Sequence, residues 1–211
     1  MPDQAREIRE FWFGRLPMSA AALAQRLQFW FGTEDAPGRK GDQAALDALI
    51  RARFEPLVTR ALRGELSSWA ASPRRRLSLI ILLDQFPRNI YRGTRLAFSG
   101  DEQALGLSLS GIQSGADAAL EVVERMFFYM PMQHAESLEV QHESVAAYRR
   151  LRDEAPEDLR PQLTEALESA EQHRAIIERF GRFPQRNRAL GRVATRDEQA
   201  YLKAGTESFG P

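Results

Sequence analysis

Two stretches concentrate the side chains that could do chemistry. Leu77–Arg92 reads LSLIILLDQFPRNIYR, and its first half is apolar nearly all round, as a buried helix is. Asp84 and Gln85 then set polar groups beside that core. A buried carboxylate needs a partner, and Arg88 or Arg92 is nearest in sequence. That pairing predicts an internal Arg–Asp lock closing a helix end, with Asn89 in a left-handed turn. Left unpaired, the same arginines could hold an anion, because the guanidinium fork suits carboxylate and phosphate. Phe180–Arg192 reads FGRFPQRNRALGR and follows a helix C-terminus, where arginines also satisfy free carbonyls. From Arg179 to Arg196 there are six arginines and no acid, more than capping requires. Arg182, Arg186 and Arg192 therefore either meet acids from elsewhere or build an anion site.

The three histidines lie at 134, 142 and 173. His134 and His142 are predicted on one helix, about 12 Å apart along it, too far to share a metal ion. Glu139-Val140-Gln141-His142 has the Glu-x-x-His spacing of carboxylate-bridged metal pairs. Its second copy is missing, since Glu171-Gln172-His173 is too short, so no metal centre is expected. Acid–base chemistry would need Asp84, His134, Glu136 and His173 to converge. Gly106–Ser110 lacks the last glycine of a nucleophile elbow and falls in a predicted helix. No phosphate loop or dinucleotide fingerprint occurs, so no cofactor is expected. Trp12, Trp30 and Trp69, with Phe11, Phe13, Phe29 and Phe31, read as packing residues; the alternative is an aromatic peptide groove.

The elements that must position these groups are helices, for no alternating strand pattern appears. Asp3 caps a first helix ending near Gly14, and Ser19 a second with Gly32 after it. Turn chemistry fills 32–41, and Asp42 opens a third helix with Leu46, Leu49, Ile50, Phe54 and Leu57 as its apolar positions. Pro56 is expected to kink or divide that helix and Gly64 to close it; Pro73 starts the next, over 74–86, and Pro87 ends it. Further helices are expected at 101–113, 119–129, 132–152 and 157–180, with Pro131 as a separator and Gly181 as a stop. Thr195 and Glu198 form a capping box ahead of 196–203, and 204–211 reads as a frayed tail. Two echoes run through the chain: Phe-Trp-Phe-Gly at 11–14 and 29–32, and Phe-Pro-Arg-Asn at 86–89, repeated with one insertion at 183–187. The second pair is expected on one side of the molecule.

Composition narrows the classes. The 211 residues are 43% hydrophobic and carry 29 basic and 29 acidic side chains, with no cysteine. Disulfide scaffolds, thiol nucleophiles and cysteine metal sites are excluded. Charge balance argues against nucleic acid as a partner. No run is long enough to span a membrane, and 1–10 lacks a secretory signal's apolar segment, so a cytoplasmic protein is expected. The acids cluster at 151–171, opposite in sign to the arginine block. One all-α domain over 1–211, built of stacked antiparallel helix pairs, fits this pattern.

The chain resembles a bacterial family known as domain of unknown function 924. The likeness rests on the Phe-Trp-Phe-Gly start, Leu82-Leu83-Asp84-Gln85-Phe86-Pro87-Arg88-Asn89, and Tyr129-Met130-Pro131 followed by His134 and Glu136. It continues through Gln141, His173, Phe180-Gly181-Arg182-Phe183-Pro184, Arg186-Asn187, Leu190-Gly191-Arg192 and Thr195, over about residues 7–203. Gln185 and Ala135 depart from the family pattern, where His and Ser are more usual. The resemblance implies a helical fold similar to tetratricopeptide repeats, with no assigned activity. The polar positions it marks are Asp84, Gln85, Arg88, Asn89, Arg92, His134, Glu136, Gln141, His173, Arg182, Arg186, Asn187 and Arg192. The expected function is binding of a peptide or small anionic molecule at these residues. The alternatives are an acid–base enzyme using the same set, or a structural protein whose polar groups lock one another. Oligomeric state is left open by the sequence.

Overall fold

A computed structural model describes residues 3–32 and 39–204; residues 33–38, where turn chemistry is expected, and 205–211, within the expected frayed tail, lie outside it. Among these described residues ten α-helices follow in order: α1 (Gln4–Phe13), α2 (Ala20–Phe31), α3 (Arg39–Leu62), α4 (Pro73–Ile90), α5 (Asp101–Gln113), α6 (Val122–Gln133), α7 (Leu138–Glu154), α8 (Arg160–Phe180), α9 (Asn187–Leu190) and α10 (Arg196–Lys203). No strand occurs among the described residues. The expected caps form: Asp3 accepts from the Ala5 amide at 3.2 Å, Ser19 from Ala22 at 3.3 Å, and Thr195 and Glu198 complete their box. Each such cap is worth about 1 kcal/mol. Gly181 ends α8 in the left-handed region.

The core is organised around α4, whose residues from Leu77 to Ile90 are all buried. It packs against α1, α3, α5 and α6, while α7 pairs with both α6 and α8. The first echo supplies aromatic bulk: Trp12 and Trp30 stack at 6.1 Å, and Trp30 Nε1 donates to the Trp12 carbonyl. A smaller cluster of Ile176, Ile177 and Phe183 sits under the C-terminal segment. Among the described residues no helix is long and apolar enough to cross a membrane.

Several boundaries differ from the sequence expectation. Pro56, Pro87 and Pro131 lie inside α3, α4 and α6 rather than at breaks. A proline removes one helix hydrogen bond and crowds the preceding turn, but burial on both sides of Pro87 and Pro131 holds the helix together. α3 starts at Arg39, not Asp42, and Leu49 is exposed while Leu46 and Ile50 face the core. Asn89, inside α4, is helical and not a left-handed turn. The helix expected over 132–152 is in fact two pieces. α6 runs to Gln133, and α7 begins at Leu138 behind the Ser137 cap. His134 and His142 thus belong to different elements.

The glycine at 100 follows from Pro87. Without an amide hydrogen at 87, the Leu83 carbonyl loses its helical donor. The Gly100 backbone packs onto that carbonyl so closely that an added Cβ would lie 2.2 Å from the oxygen. This contact fixes the start of α5, and with it Asp101, beside the last turns of α4.

Candidate functional site

At the centre of the polar set is Asp84, fully buried on α4. His134, the residue that caps α6, places Nδ1 2.7 Å from Asp84 Oδ1. An ionised carboxylate only accepts, so Nδ1 carries the proton and donates. Nε2 is left as an acceptor and makes no hydrogen bond among the described residues. Gln85 donates to the other carboxylate oxygen and to the Met130 sulfur. Arg88 Nη1 lies 3.2 Å from Asp84 Oδ1. Burial alone would push the Asp84 carboxyl up, but Arg88 and these hydrogen bonds hold it well below the usual carboxylate range. Burial and the Arg88 charge lower His134 in spite of Asp84. The pair is therefore a carboxylate with a neutral imidazole near pH 7.

His173 stands beside it, with ring centroids 6.2 Å apart. Its Nδ1 donates to the Ser169 carbonyl at 2.8 Å, and burial pushes it down to about 3. Asp84, His134 and His173 thus converge. Glu136 does not join them: it takes both arms of Arg192, at 2.7 and 3.0 Å, and the Phe183 amide at 2.8 Å.

The arginines fall into two groups. Arg92 is locked by Asp47 of α3 at 2.7 and 3.0 Å, and Asn89 donates to the same carboxylate. Arg182 makes a fork on Glu198 at 2.6 and 2.9 Å, which is held down to about 2 chiefly by that contact. Arg192 also reaches Asn187 and the Phe183 carbonyl. Arg88 forks onto Asp101 at 2.8 and 3.0 Å. Arg92 therefore does not pair with Asp84, and Arg182 and Arg192 are engaged by acids rather than open to a ligand. Gln141 is structural too: its amide donates to the carbonyls of Met132, Gln133 and Ala135, ending α6.

Arg186 is the exception. Its guanidinium makes one hydrogen bond among the described residues, a 3.3 Å contact to Asp101 Oδ2, an oxygen Arg88 already uses. The guanidinium lies over the rings of Phe183 and Phe98, at 4.5 and 4.9 Å. Burial and repulsion from Arg88 push it down to about 10, against the pull of Asp101, Glu136 and Asp84. The two Phe-Pro echoes therefore do meet on one side, through a shared carboxylate. The patch is reachable at its rim: the side chains of Arg186, His134 and Asp101 are 11%, 14% and 22% exposed.

The model of a bacterial protein family of unknown function, DUF924, matches residues 8–206. The chain belongs to this family. The solved structure of a protein of unknown function from Agrobacterium tumefaciens is similar over 95% of this chain and 97% of its own, at 34% identity and a TM-score of 0.76. No functionally curated protein matches the chain. Several residues that resemble the family pattern thus turn out to be locks, and only part of the set gathers into the patch.

Three acids that complete the arrangement were not singled out as site residues by sequence. Asp101 and Asp47 come from α5 and α3, and Glu198 was read only as a cap. Asp101 offered one signal, as an acid in the first turn of a helix soon after the Phe-Pro motif. No group of three or more His, Asp or Glu residues among the described ones is arranged to hold a metal ion. His142 lies exposed on α7, away from the pair.

Proposed function

We propose that the protein binds a small molecule bearing a carboxylate or phosphate, at the patch formed by Arg186, Arg88, His134 and His173. What supports this reading is the state of Arg186: five guanidinium donors, one long contact, and a carboxylate partner already forked by its neighbour. An incoming anion supplies acceptors that the chain does not. Charge-assisted bonds to a planar fork are about twice as strong as neutral ones. His134, whose Nδ1 is held by Asp84, presents Nε2 as an acceptor for a hydroxyl when neutral and as a donor to the anion when protonated.

Thermal shift with phosphate, sulfate and citrate on wild type and Arg186→Gln tests the proposal. Saturable stabilisation of the wild type, lost in the variant while its unliganded form stays folded, is the expected result. A wild type that ignores these anions, or a variant that responds equally, overturns it.

A second reading rests on a different observation, the Asp84–His134 pair with its free Nε2. A buried carboxylate that orients a neutral imidazole is the arrangement of a general base. Under this reading the anion is a handle and the reacting proton is delivered at Nε2. Turnover of p-nitrophenyl phosphate or p-nitrophenyl hydrogen succinate, lost in His134→Gln with anion affinity kept, would support catalysis. No turnover with intact anion binding leaves binding alone as the function.

A further inference from the structure

The turn between α1 and α2 forms an open cleft of about 350 Å³, remote in sequence from the Asp84 patch. Its apolar wall is Phe13, Met18, Ala22 and Phe29, and its polar lining is Arg15, Gln25 and Arg26. From Phe11 to Gly32 the sequence holds no acid at all. Neither arginine has an ion pair among the described residues. Arg26 lies over the Phe29 ring at 5.0 Å and makes a single 3.3 Å hydrogen bond, to the Phe11 carbonyl. Its position is built rather than incidental. Gly14 turns the chain at φ 73, and a Cβ there would come 2.5 Å from Arg26 Nη2. The guanidinium is thus seated against bare backbone, with most of its donors unused.

We propose that this cleft is a second ligand site, taking an amphipathic monocarboxylate with an aryl or short acyl body. The volume suits it: a cavity of about 150 Å³ holds benzene, and ligand pockets run from about 300 Å³ upward. The apolar wall accepts the body of the ligand. The carboxylate forks onto Arg26, with Arg15 adding charge from the exposed side. Burial pushes the Arg26 guanidinium down with no carboxylate opposing, and a bound carboxylate reverses that imbalance. This site stands on residues separate from the Arg186 patch and does not depend on it.

Methyl NMR of ¹³C-labelled methionine separates the two places, since Met18 lines the cleft and Met130 contacts Gln85 in the patch. Titration with 3-phenylpropanoate is expected to shift the Met18 signal saturably and leave Met130 in place. The neutral amide, 3-phenylpropanamide, and the Arg26→Gln variant should each bind about tenfold more weakly. Ala22→Leu, which fills the cleft and keeps the charge, should lose the ligand while retaining the fold. The proposal fails if Met18 does not respond at millimolar ligand, if acid and amide bind alike, or if Met130 shifts instead.

Discussion

Arg88 and Arg92 share one chemistry and end in different electrostatic situations, and their substitution should separate them. Arg88 neutralises buried Asp84 and forks Asp101; Arg88→Ala leaves a buried carboxylate short of its partner and should cost about 3–5 kcal/mol. Arg92 is one third exposed on its acid, so Arg92→Ala should cost no more than about 1 kcal/mol. Chemical denaturation of the two variants checks that order. Acid should also destabilise the fold, because two groups act in one direction. Asp84 is held low, so its contribution is present above about pH 4 and fades as pH falls. His173, pushed down to about 3, stays neutral in the fold while the unfolded chain protonates near pH 6.5. Stability should therefore fall as pH drops below about 6.5, and His173→Gln should flatten that slope in a melting-temperature series. Anion binding should run the other way: a negative charge beside His134 favours its protonation, so affinity should rise from pH 8 to pH 6 with proton uptake. Calorimetry in buffers of different ionisation heat measures that uptake, and zero uptake would contradict it.

At the scale of elements, the prolines mark what was legible and what was not. Helix starts were written in local chemistry at Asp3, Ser19 and Thr195, because a cap needs only its own neighbours. The continuity of α4 and α6 through Pro87 and Pro131 was not, because it depends on burial by helices distant in sequence. The same distance hid Gln141: three carbonyls of the α6 end receive its amide, and nothing in Glu-x-x-His spacing announces that role. Gly100 ties this scale to the site, since its close approach to the carbonyl freed by Pro87 sets Asp101 against Arg88 and Arg186. Gly100→Ala must push α5 off α4. It should cost about 1–3 kcal/mol and weaken anion binding through displaced Asp101, both readable by denaturation and thermal shift. A neutral substitution there would show that α5 is placed by other contacts.

Across the whole molecule, the all-helical class and the meeting of both Phe-Pro echoes were legible, because periodicity and matching motifs survive without coordinates. Which arginine is least engaged was not, because the answer lies in acids contributed by α3, α5 and α10. With α4 wrapped by four helices, its amides should exchange hydrogen most slowly, and those of α10 among the fastest; hydrogen-exchange mass spectrometry reads both. The function itself turns on whether Arg186 holds an anion. Crystals grown with selenate, located by the anomalous scattering of selenium, test this most directly. A selenate within hydrogen-bond distance of the Arg186 guanidinium, and absent in Arg186→Gln crystals, is the predicted result. Selenate found only on exposed arginines elsewhere, with Arg186 still on Asp101, would contradict it.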